Sequence, residues 1–462
     1  MPAEACAHLD PRLARALVDV VGPAHLLTDP EVTRSYAVDW TGRYRGSTPA
    51  VVRPADTEQV AAVVQLCRSH AVRLVPQGGN TGMVGGGVPL RGEVVLSLRR
   101  LDAIRAVDGR GGQLTAGAGT PLARVQDAAG AAGWAYGVDL GGRDSATIGG
   151  NVATNAGGLR VLRYGDTRAQ VLGVEAVLGS GAVVSHLGGL VKDNTGYPLH
   201  ALLCGSEGTL GVVTAARLRL VPRAPQRVVA LLAFGGAPEA VASALELRRV
   251  LASVSALELV MEAGAELVVR ALGVPRPFER SHPAYLLVEA SGAEDPSAEL
   301  SEAVAALHAV HDAAVALEPG PIAALWRLRE GHTEAINTLG VPHKLDVTLP
   351  PAALSEATGR LPAVVAAVAP SAEVWLYGHV GDGNLHVNVT GVDPDDEAVD
   401  DAVFCEVARL GGSISAEHGI GTAKKRWLTL NRSPAEIDAF VAIKRALDPD
   451  WILNPNVLIP IS

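Results

Sequence analysis

The amino-acid sequence predicts a protein of mixed helix and strand structure with two or three domains. Its 462 residues exceed the length of one ordinary domain, and 48% of them are hydrophobic, which is enough to build large cores. Short apolar runs typical of strands are interleaved with longer segments of helical periodicity in both halves of the chain. The stretch from Pro222 to Pro225, which reads Pro-Arg-Ala-Pro, is the predicted boundary between the two halves.

Hydrophobic periodicity and turn residues locate the individual elements. The predicted helices are 11–21, 57–70 with Thr57 as its cap, 121–132, 237–251, 298–311, 326–337 and 433–447. The predicted strands are 50–54, 72–76, 93–98, 104–107, 113–116, 171–178, 183–185, 228–234, 285–290, 344–349, 374–380 and 385–389. After residue 225 this order indicates a sheet with helices on one face.

Composition excludes several classes of function. A net charge of −10 argues against a nucleic-acid partner, because phosphate binding needs a basic face. The cysteines are far apart and form no Cys-x-x-Cys pair: Cys6, Cys67, Cys204 and Cys405. This spacing disfavours a disulfide framework and fits a reducing cytoplasm. Arg12, Arg15 and Asp19 interrupt the N-terminal apolar residues, and no apolar run approaches the roughly 18 residues of a membrane span, so we expect a soluble protein without a signal peptide.

Three segments rich in glycine lie in the first half of the chain: Pro76–Gly86, Thr147–Gly158 and Gly205–Thr214. The first follows a predicted strand, and its backbone N–H groups could turn toward phosphate oxygens. It matches neither the P-loop nor the Gly-x-Gly-x-x-Gly pattern, and each segment alone could be an ordinary turn. Together they indicate one large cofactor that lies across several loops.

A predicted hairpin in the second half carries two histidines. Asp382 and Gly383 are typical of a two-residue turn, which would pair His379 with His386. Directly opposed residues share a face with Cβ atoms about 5 Å apart, close enough for two imidazoles to share a metal ion. Asn388, two residues beyond His386, projects from the same face. The alternative is a surface turn with incidental histidines.

Two further groups extend this candidate site. About 30 residues after the hairpin, Glu417 offers a carboxylate and His418 a base, and two histidines with one carboxylate form a common catalytic metal site. Arg329 and Thr333 lie four residues apart on one predicted helix, and Lys344 lies in the next strand. A guanidinium donates in a planar fork that suits a carboxylate, although a solvated helix face is the alternative.

Several long motifs resemble one superfamily. PQGGNTGMVGG, TIGGNVATNAGGLRVLRYG, KDNTGYPL and GSEGTLGVVT resemble the FAD-binding half of flavoproteins of the vanillyl-alcohol-oxidase type. YGHVGDGNLHVNV, SAEHGIG and ILNPNVL resemble the C-terminal half of its FAD-linked 2-hydroxy acid dehydrogenases, and among these the D-2-hydroxyglutarate dehydrogenases. The resemblance extends from about Tyr36 to Pro460.

The resemblance implies an α+β fold: a two-subdomain FAD-binding domain of vanillyl-alcohol-oxidase type plus an α+β substrate-capping domain. Its expected domains are 1–222 for FAD, 223–425 for the cap with the metal site, and 426–462 for a segment that returns to the FAD domain.

The resemblance also implies roles for individual residues. His379, His386 and Glu417 would bind the metal, His418 would be the catalytic base, and Arg329, Thr333, Lys344, Asn388 and His418 would bind substrate. The expected FAD-binding residues are Pro76, Gly78, Gly79, Asn80, Thr81, Gly82, Gly85, Gly86, Thr147, Gly149, Gly150, Asn151, Thr154, Asn155, Gly157, Gly158, Glu207, Gly208, Gly211, Val212 and Asn456.

The implied reaction is oxidation of a D-2-hydroxy acid, first of all D-2-hydroxyglutarate to 2-oxoglutarate. A divalent metal, Zn²⁺ first and otherwise Mn²⁺, Co²⁺ or Fe²⁺, would lower the pKa of the substrate hydroxyl, His418 would take its proton, and a hydride would pass to flavin N5. FAD is expected to bind non-covalently, because Pro76–Gly86 contains neither His nor Cys. The expected electron acceptor is electron-transferring flavoprotein or a quinone-linked carrier, and the expected assembly is a homodimer.

Two alternatives stay open at this point. One is a D-lactate or glycolate dehydrogenase of the same fold. The other is a flavin-binding subunit that supports a catalytic partner and turns over nothing itself, against which the complete set of His379, His386, Glu417 and His418 counts.

Overall fold

The computed structural model describes residues 9–459, so Cys6 and Pro460 lie outside the described residues. These residues form two compact units. The first unit comprises 9–158, 164–222 and 417–459, and the second comprises Leu159–Arg163 and Arg223–Ala416. Glu417 and His418 therefore belong to the first unit, whereas the capping domain expected from the sequence extended to residue 425.

The elements follow in chain order. The helices are α1 Pro11–Val21, α2 Pro30–Thr33, α3 Thr57–Ser69, α4 Leu122–Ala131, α5 Ile148–Thr154, α6 Val161–Tyr164, α7 Thr167–Gln170, α8 Leu199–Leu203, α9 Ala237–Val250, α10 Glu262–Leu272, α11 Ser297–Ala305, α12 Pro319–Glu330, α13 His332–Asn337, α14 Pro351–Val368, α15 Ala398–Arg409 and α16 Pro434–Leu447. The strands are β1 Leu26–Leu27, β2 Val51–Val52, β3 Leu74–Gln77, β4 Val94–Ser97, β5 Ile104–Asp108, β6 Gln113–Gly117, β7 Trp134–Ala135, β8 Val171–Val177, β9 Val183–Ser185, β10 Val212–Arg219, β11 Val221–Pro222, β12 Gln226–Phe234, β13 Val254–Met261, β14 Ala284–Gly292, β15 Asp312–Ala316, β16 His343–Thr348, β17 Glu373–Gly378 and β18 Asn384–Thr390.

The first unit is built on two main sheets. One has the order β1-β2-β4-β3, with β4 parallel to both β2 and β3, and the other is antiparallel with the order β5-β6-β10-β8-β9. Helix α3 buries Val60, Val63 and Val64 in the core of this unit, as its periodicity predicts. Its cap is Asp56 and not Thr57: the Asp56 carboxylate accepts the N–H of Gln59 at 2.7 Å.

The second unit is built on one antiparallel seven-stranded sheet with the order β15-β12-β14-β13-β17-β18-β16. Helices α10, α12 and α13 pack on the face that carries Val229, Leu231 and Tyr377. Helix α9 packs on β12, β13 and β14 but contributes no residue to the core on that face. It contacts α14, and α14 contacts α15. The expectation of helices on one face was therefore wrong, because both faces of this sheet are apolar and both are covered.

The predicted helix 298–311 is shorter in the structure. It ends at Ala305, and the N–H of His311 donates to the carbonyl of Ala233 at 2.9 Å, where β15 begins to pair with β12. The helix is therefore shorter than predicted, because the backbone at His311 pairs with the sheet edge and is not available for helical hydrogen bonds.

The C-terminal segment packs within the first unit. The N–H of Leu74 donates to the carbonyl of Ile452 at 2.7 Å, and the N–H of Asn454 donates to the carbonyl of Leu74 at 2.8 Å. From α16, Lys444 donates to the carbonyls of Thr209 and Leu453 and pairs with Asp448. Among residues 9–459, no helix has both the length and the apolar character that crossing a bilayer requires.

Candidate active site

The three glycine-rich segments meet in the first unit. A Cβ on Gly78 would collide with the hydroxyl of Thr147, and a Cβ on Gly79 would collide with the carbonyl of Ser145, so the first and second segments touch where only glycine fits. The third segment joins them because the N–H of Glu207 donates to the carbonyl of Ala153 at 2.7 Å. Segments that are far apart in sequence thus form one surface, as the idea of a single large cofactor requires.

Asn454 bridges two of these segments and was not predicted as a site residue. Its side-chain amide donates to the carbonyls of Gly86, at 2.9 Å, and Glu207, at 2.7 Å. The predicted Asn456 instead donates to Glu93 at 2.7 Å. The ILNPNVL motif contains both asparagines, and Asn454 adopts a positive φ of 41° next to β3, a conformation that Asn tolerates better than most residues.

The lining of this surface fits a polar cofactor. Three buried side-chain atoms there have no hydrogen-bond partner within the described part of the chain: Thr147 Oγ1, Asn151 Nδ2 and Asn454 Oδ1. Buried polar atoms are nearly always satisfied by protein or by a bound molecule. A dinucleotide such as FAD would bind to these unused donors and acceptors. It would also approach the backbone closely, because glycine has no side chain.

Glu207, one of the residues predicted to bind FAD, also contacts the loop after His418. Its buried carboxylate accepts the N–H groups of Ile420 and Gly421 at 2.8 and 2.7 Å. Burial raises the pKa of this carboxyl to about 7, although the two N–H donors lower it. Glu207 therefore ties the third glycine-rich segment to the loop that follows Glu417 and His418.

The same loop is held at its start. One carboxylate oxygen of Glu417 accepts the N–H of Gly158, the last residue of the second glycine-rich segment, at 2.7 Å. Gly419 adopts a φ of 82°, and a Cβ there would lie 2.9 Å from the Glu207 carboxylate. Glu417 and His418 are thus held between two anchors within the first unit.

In the second unit, the hairpin that carries the two histidines has a longer loop than predicted. Strands β17 and β18 place Tyr377 opposite His386, and His379 lies in the loop. The loop is wider because neighbouring strands take its backbone groups: the N–H of Gly381 donates to Leu257 at 3.3 Å, and the carbonyl of Gly383 accepts from Leu349 at 3.0 Å. The two-residue turn, and with it the direct pairing of His379 and His386, was wrong.

The two imidazoles are nevertheless neighbours, and a buried carboxylate holds each of them. Their ring centroids are 5.3 Å apart. Nδ1 of His379 lies 2.7 Å from Glu258, and Nδ1 of His386 lies 3.5 Å from Asp346. An ionised carboxylate only accepts, so Nδ1 of His379 carries the hydrogen toward Glu258 and its Nε2 carries the lone pair that a metal needs. The donor chemistry of this pair fits a divalent metal ion.

The two partners of Glu258 explain why it is ionised although it is buried. Burial alone would raise the pKa of Glu258, but His379 and then Arg329 outweigh it, so its pKa lies below the ordinary value. The chain thus maintains a buried anion at the point where His379 and Arg329 meet.

The helix predicted to carry Arg329 and Thr333 is interrupted. Helix α12 ends at Glu330 and α13 begins at His332, and a Cβ on Gly331 between them would lie 2.9 Å from side-chain atoms of Leu272 and Val268. Arg329 and Thr333 nonetheless both reach Tyr377: the guanidinium of Arg329 lies 4.7 Å from its ring centroid, and the hydroxyl of Thr333 lies 3.1 Å from its hydroxyl. Tyr377 was not predicted as a site residue, although it lies two positions before His379.

Arg329 has donor capacity that the protein does not use. It is 5% exposed, its Nε donates to Glu258 at 2.7 Å, and its Nη2 is buried with no hydrogen-bond partner within residues 9–459. A buried guanidinium with one unused edge fits a carboxylate ligand.

The sheet register collects the remaining residues on one face. Lys344 lies opposite Asn388, and His386 lies between Asp346 on one side and Tyr377 on the other. Alternate residues of a strand share a face, so all five project together. Burial lowers the pKa of Lys344 to about 8. The second unit thus brings its predicted site residues together, and their roles, like those of Glu417 and His418 in the first unit, stay predictions.

Comparisons with known proteins agree with this organisation. The FAD binding domain family matches residues 48–186, and the C-terminal domain family of FAD linked oxidases matches residues 223–458. The chain is 39% identical to D-2-hydroxyglutarate dehydrogenase of Xanthomonas citri pv. viticola over 97% of both chains. It is 39% identical to the mitochondrial D-2-hydroxyglutarate dehydrogenase of Bos taurus over 96% of this chain and 83% of that protein. The enzyme of that name from Stutzerimonas stutzeri is 35% identical over 97% and 98%.

Solved structures show the fold. p-Cresol methylhydroxylase superposes with a TM-score of 0.79 at 17% identity, over 97% of this chain and 96% of that one. 4-Ethylphenol oxidase from Gulosibacter chungangensis gives 0.79 at 17% identity, over 97% of both chains. The predicted α+β fold of vanillyl-alcohol-oxidase type is confirmed.

Two family matches in the expected order, together with relatives covered over most of their length, favour an enzyme over a flavin-binding subunit without activity of its own. The chain belongs to the D-2-hydroxyglutarate dehydrogenase family of FAD-linked enzymes and is an FAD-dependent oxidoreductase that acts on a CH–OH group.

Proposed function

We propose that this protein oxidises D-2-hydroxyglutarate to 2-oxoglutarate with non-covalently bound FAD and a divalent metal ion, Zn²⁺ first. The observation that carries the proposal is a pair of cationic anchors in the second unit, Arg329 and Lys344, next to two histidines backed by carboxylates. A 2-hydroxy acid with two carboxylates needs two cations as well as a group that polarises its hydroxyl. The names of the relatives support the same substrate.

The protein side chains position and deprotonate the substrate. Arg329 would bind the carboxylate beside the reacting carbon through its unused Nη2, and Lys344 would bind the distal carboxylate with Thr333 and Asn388. His418 would take the hydroxyl proton, after which the α-carbon can give up its hydrogen and two electrons to become a carbonyl carbon. When bound, FAD supplies the electron acceptor and the metal, on His379, His386 and Glu417, supplies a Lewis acid.

Tyr377 would connect the two anchors. Its ring lies beneath the guanidinium of Arg329, and its hydroxyl contacts Thr333 and Asn388. A rigid aromatic side chain between them fixes the spacing of the two carboxylate sites, which favours a five-carbon dicarboxylate over lactate or glycolate.

The electron acceptor and the assembly are proposed from the sequence and its family resemblance alone. We propose electron-transferring flavoprotein or a quinone-linked carrier as the acceptor, and a cytoplasmic homodimer as the assembly.

The state of the cofactor gives the first prediction. The purified protein should be yellow and should release intact FAD on acid precipitation, because Pro76–Gly86 offers neither a His nor a Cys for a covalent bond. Absorbance and chromatography of the supernatant measure the release. Flavin retained in the pellet would contradict non-covalent binding, and a colourless protein that cannot be reconstituted would contradict the whole proposal.

A second prediction tests the substrate. Wild-type protein should give a higher kcat/KM with D-2-hydroxyglutarate, and next with D-malate, than with D-lactate. Lys344→Met should lower kcat/KM for the dicarboxylates by about 10-fold or more and change D-lactate little, because one charged hydrogen bond is worth about 1.5–3 kcal/mol. Lys344→Arg, which keeps the charge, is the matched control and should retain most of the preference.

The pH profile adds a second readout to this test. Lys344 binds an anion in its protonated form, so the dicarboxylate preference should be present below the pKa of about 8 and should fall as pH rises through it. In Lys344→Met this fall should disappear. A wild-type preference for D-lactate, or equal losses on both substrate classes, would favour a D-lactate or glycolate dehydrogenase instead.

A further inference from the structure

We propose that Glu258 is a positioning residue that joins the metal-binding histidine His379 to the substrate-binding Arg329. This inference rests on the proposed function, which assigns those roles to His379 and Arg329. It adds a residue that sequence patterns did not reveal, and it makes metal binding and carboxylate binding depend on the same side chain.

The position of Glu258 in the sheet makes this possible. In β13, Leu259 pairs with Gly378 and Val260 pairs with Tyr377, so Glu258 comes level with His379 where the hairpin loop begins. Val260 and Tyr377 point into the core beneath α12, and Glu258, two residues from Val260, points to the same face. The strand thus delivers a carboxylate between the loop and the last turn of α12.

Both oxygens of Glu258 are occupied by the two functional side chains. Oε1 lies 2.7 Å from Nδ1 of His379, and Oε2 accepts from Nε of Arg329 at 2.7 Å. The side chain is 1% exposed, so water does not substitute for either partner. Because each oxygen of the carboxylate contacts one partner, Glu258 fixes the position of the His379 ring relative to the Arg329 guanidinium.

Asp346 provides a natural comparison. It lies 3.5 Å from Nδ1 of His386, and it also accepts from the side-chain amide of Asn384 at 2.8 Å and the N–H of Ala416 at 3.1 Å. Asp346 thus supports His386, the other proposed metal ligand. Arg329 donates through its Nε to Glu258 and not to Asp346. Loss of Asp346 should therefore weaken the metal site without the direct effect on the substrate carboxylate.

Glu258→Gln is the test variant, because it is isosteric and its single carbonyl oxygen can accept from only one of the two donors. In protein that retains flavin but has been depleted of metal, we expect Zn²⁺ affinity, measured by competition with a chromophoric chelator, to fall 10- to 100-fold, as for other residues that orient metal ligands. With Zn²⁺ restored to saturation, KM should also rise about 10-fold for both D-2-hydroxyglutarate and D-lactate, since both acids present the carboxylate that Arg329 binds.

Two variants complete the experiment. Asp346→Asn should lose a similar share of Zn²⁺ affinity, with a smaller rise in KM at saturating Zn²⁺ than Glu258→Gln. Glu258→Asp keeps the charge but is one methylene shorter, so it should fall between wild type and Glu258→Gln in both measurements. It serves as the test if Glu258→Gln does not fold with flavin bound.

The outcomes separate this inference from the proposed function. Wild-type protein that binds no Zn²⁺ or Mn²⁺, or whose flavin no 2-hydroxy acid reduces, would overturn the proposed function and the inference with it. The inference alone would be overturned if the wild-type protein binds the metal and is reduced by a 2-hydroxy acid, but neither Glu258 variant changes the Zn²⁺ affinity. A fall in Zn²⁺ affinity with an unchanged KM would also overturn it, because Glu258 would then support only His379.

Discussion

Flavin reduction in the His418→Ala variant is expected to be about 10²–10⁴-fold slower than in the wild-type protein, the usual contribution of general acid–base catalysis. The loop around His418 should keep its position, because the neighbours of His418 anchor it: Glu207 accepts the N–H groups of Ile420 and Gly421. The N–H of Gly158 donates to the carboxylate of the neighbouring Glu417. The loss should therefore appear in the chemical step, with flavin and metal retained.

Anaerobic stopped-flow mixing with D-2-hydroxyglutarate measures this step without the later electron acceptor. His418→Asn, which keeps a polar side chain of smaller size, should be slowed to a similar degree. His308→Ala, which removes an exposed histidine of the second unit, is the control and should match wild type. A near-normal rate in both His418 variants would assign the base to another residue, and loss of flavin would give His418 a structural role.

The parts of the site that could be predicted from sequence are those whose signal is local. Each glycine-rich segment is recognisable by itself, and the structure packs Gly78 and Gly79 where a Cβ would collide with neighbouring residues. The alternation of residues along β18 likewise places His386 and Asn388 on one face.

The parts that could not be predicted depend on partners far along the chain. Glu258 holds His379 from 121 positions away, and it lies in a strand whose apolar pattern also suits a buried helix segment. The hairpin turn was predicted from Asp382 and Gly383 as a two-residue turn, but Leu257 and Leu349 determine its width by taking its backbone groups. The sequence of the turn does not show that neighbouring strands compete with its local preference.

Removal of the metal is expected to abolish turnover while FAD stays bound. The histidines of the proposed metal site, His379 and His386, are in the second unit, and the glycine-rich segments that would bind FAD are in the first. Zn²⁺ or Mn²⁺ should restore activity to chelated wild-type protein, since two imidazoles and a carboxylate bind either ion. Without the ion, nothing in the proposed site acidifies the substrate hydroxyl for His418.

His386→Ala should behave like the chelated enzyme and should not recover when metal is added. The substitution removes one ligand nitrogen and leaves Asp346 buried beside the vacated space, still bonded to Asn384 and Ala416, so the strands should keep their positions. The measurements are metal content by elemental analysis, flavin content by absorbance and turnover with D-2-hydroxyglutarate, again with His308→Ala as the control. Full activity in a sample with no detectable metal would reject the site, whereas restoration of His386→Ala by added Zn²⁺ would show that His386 is not a required ligand.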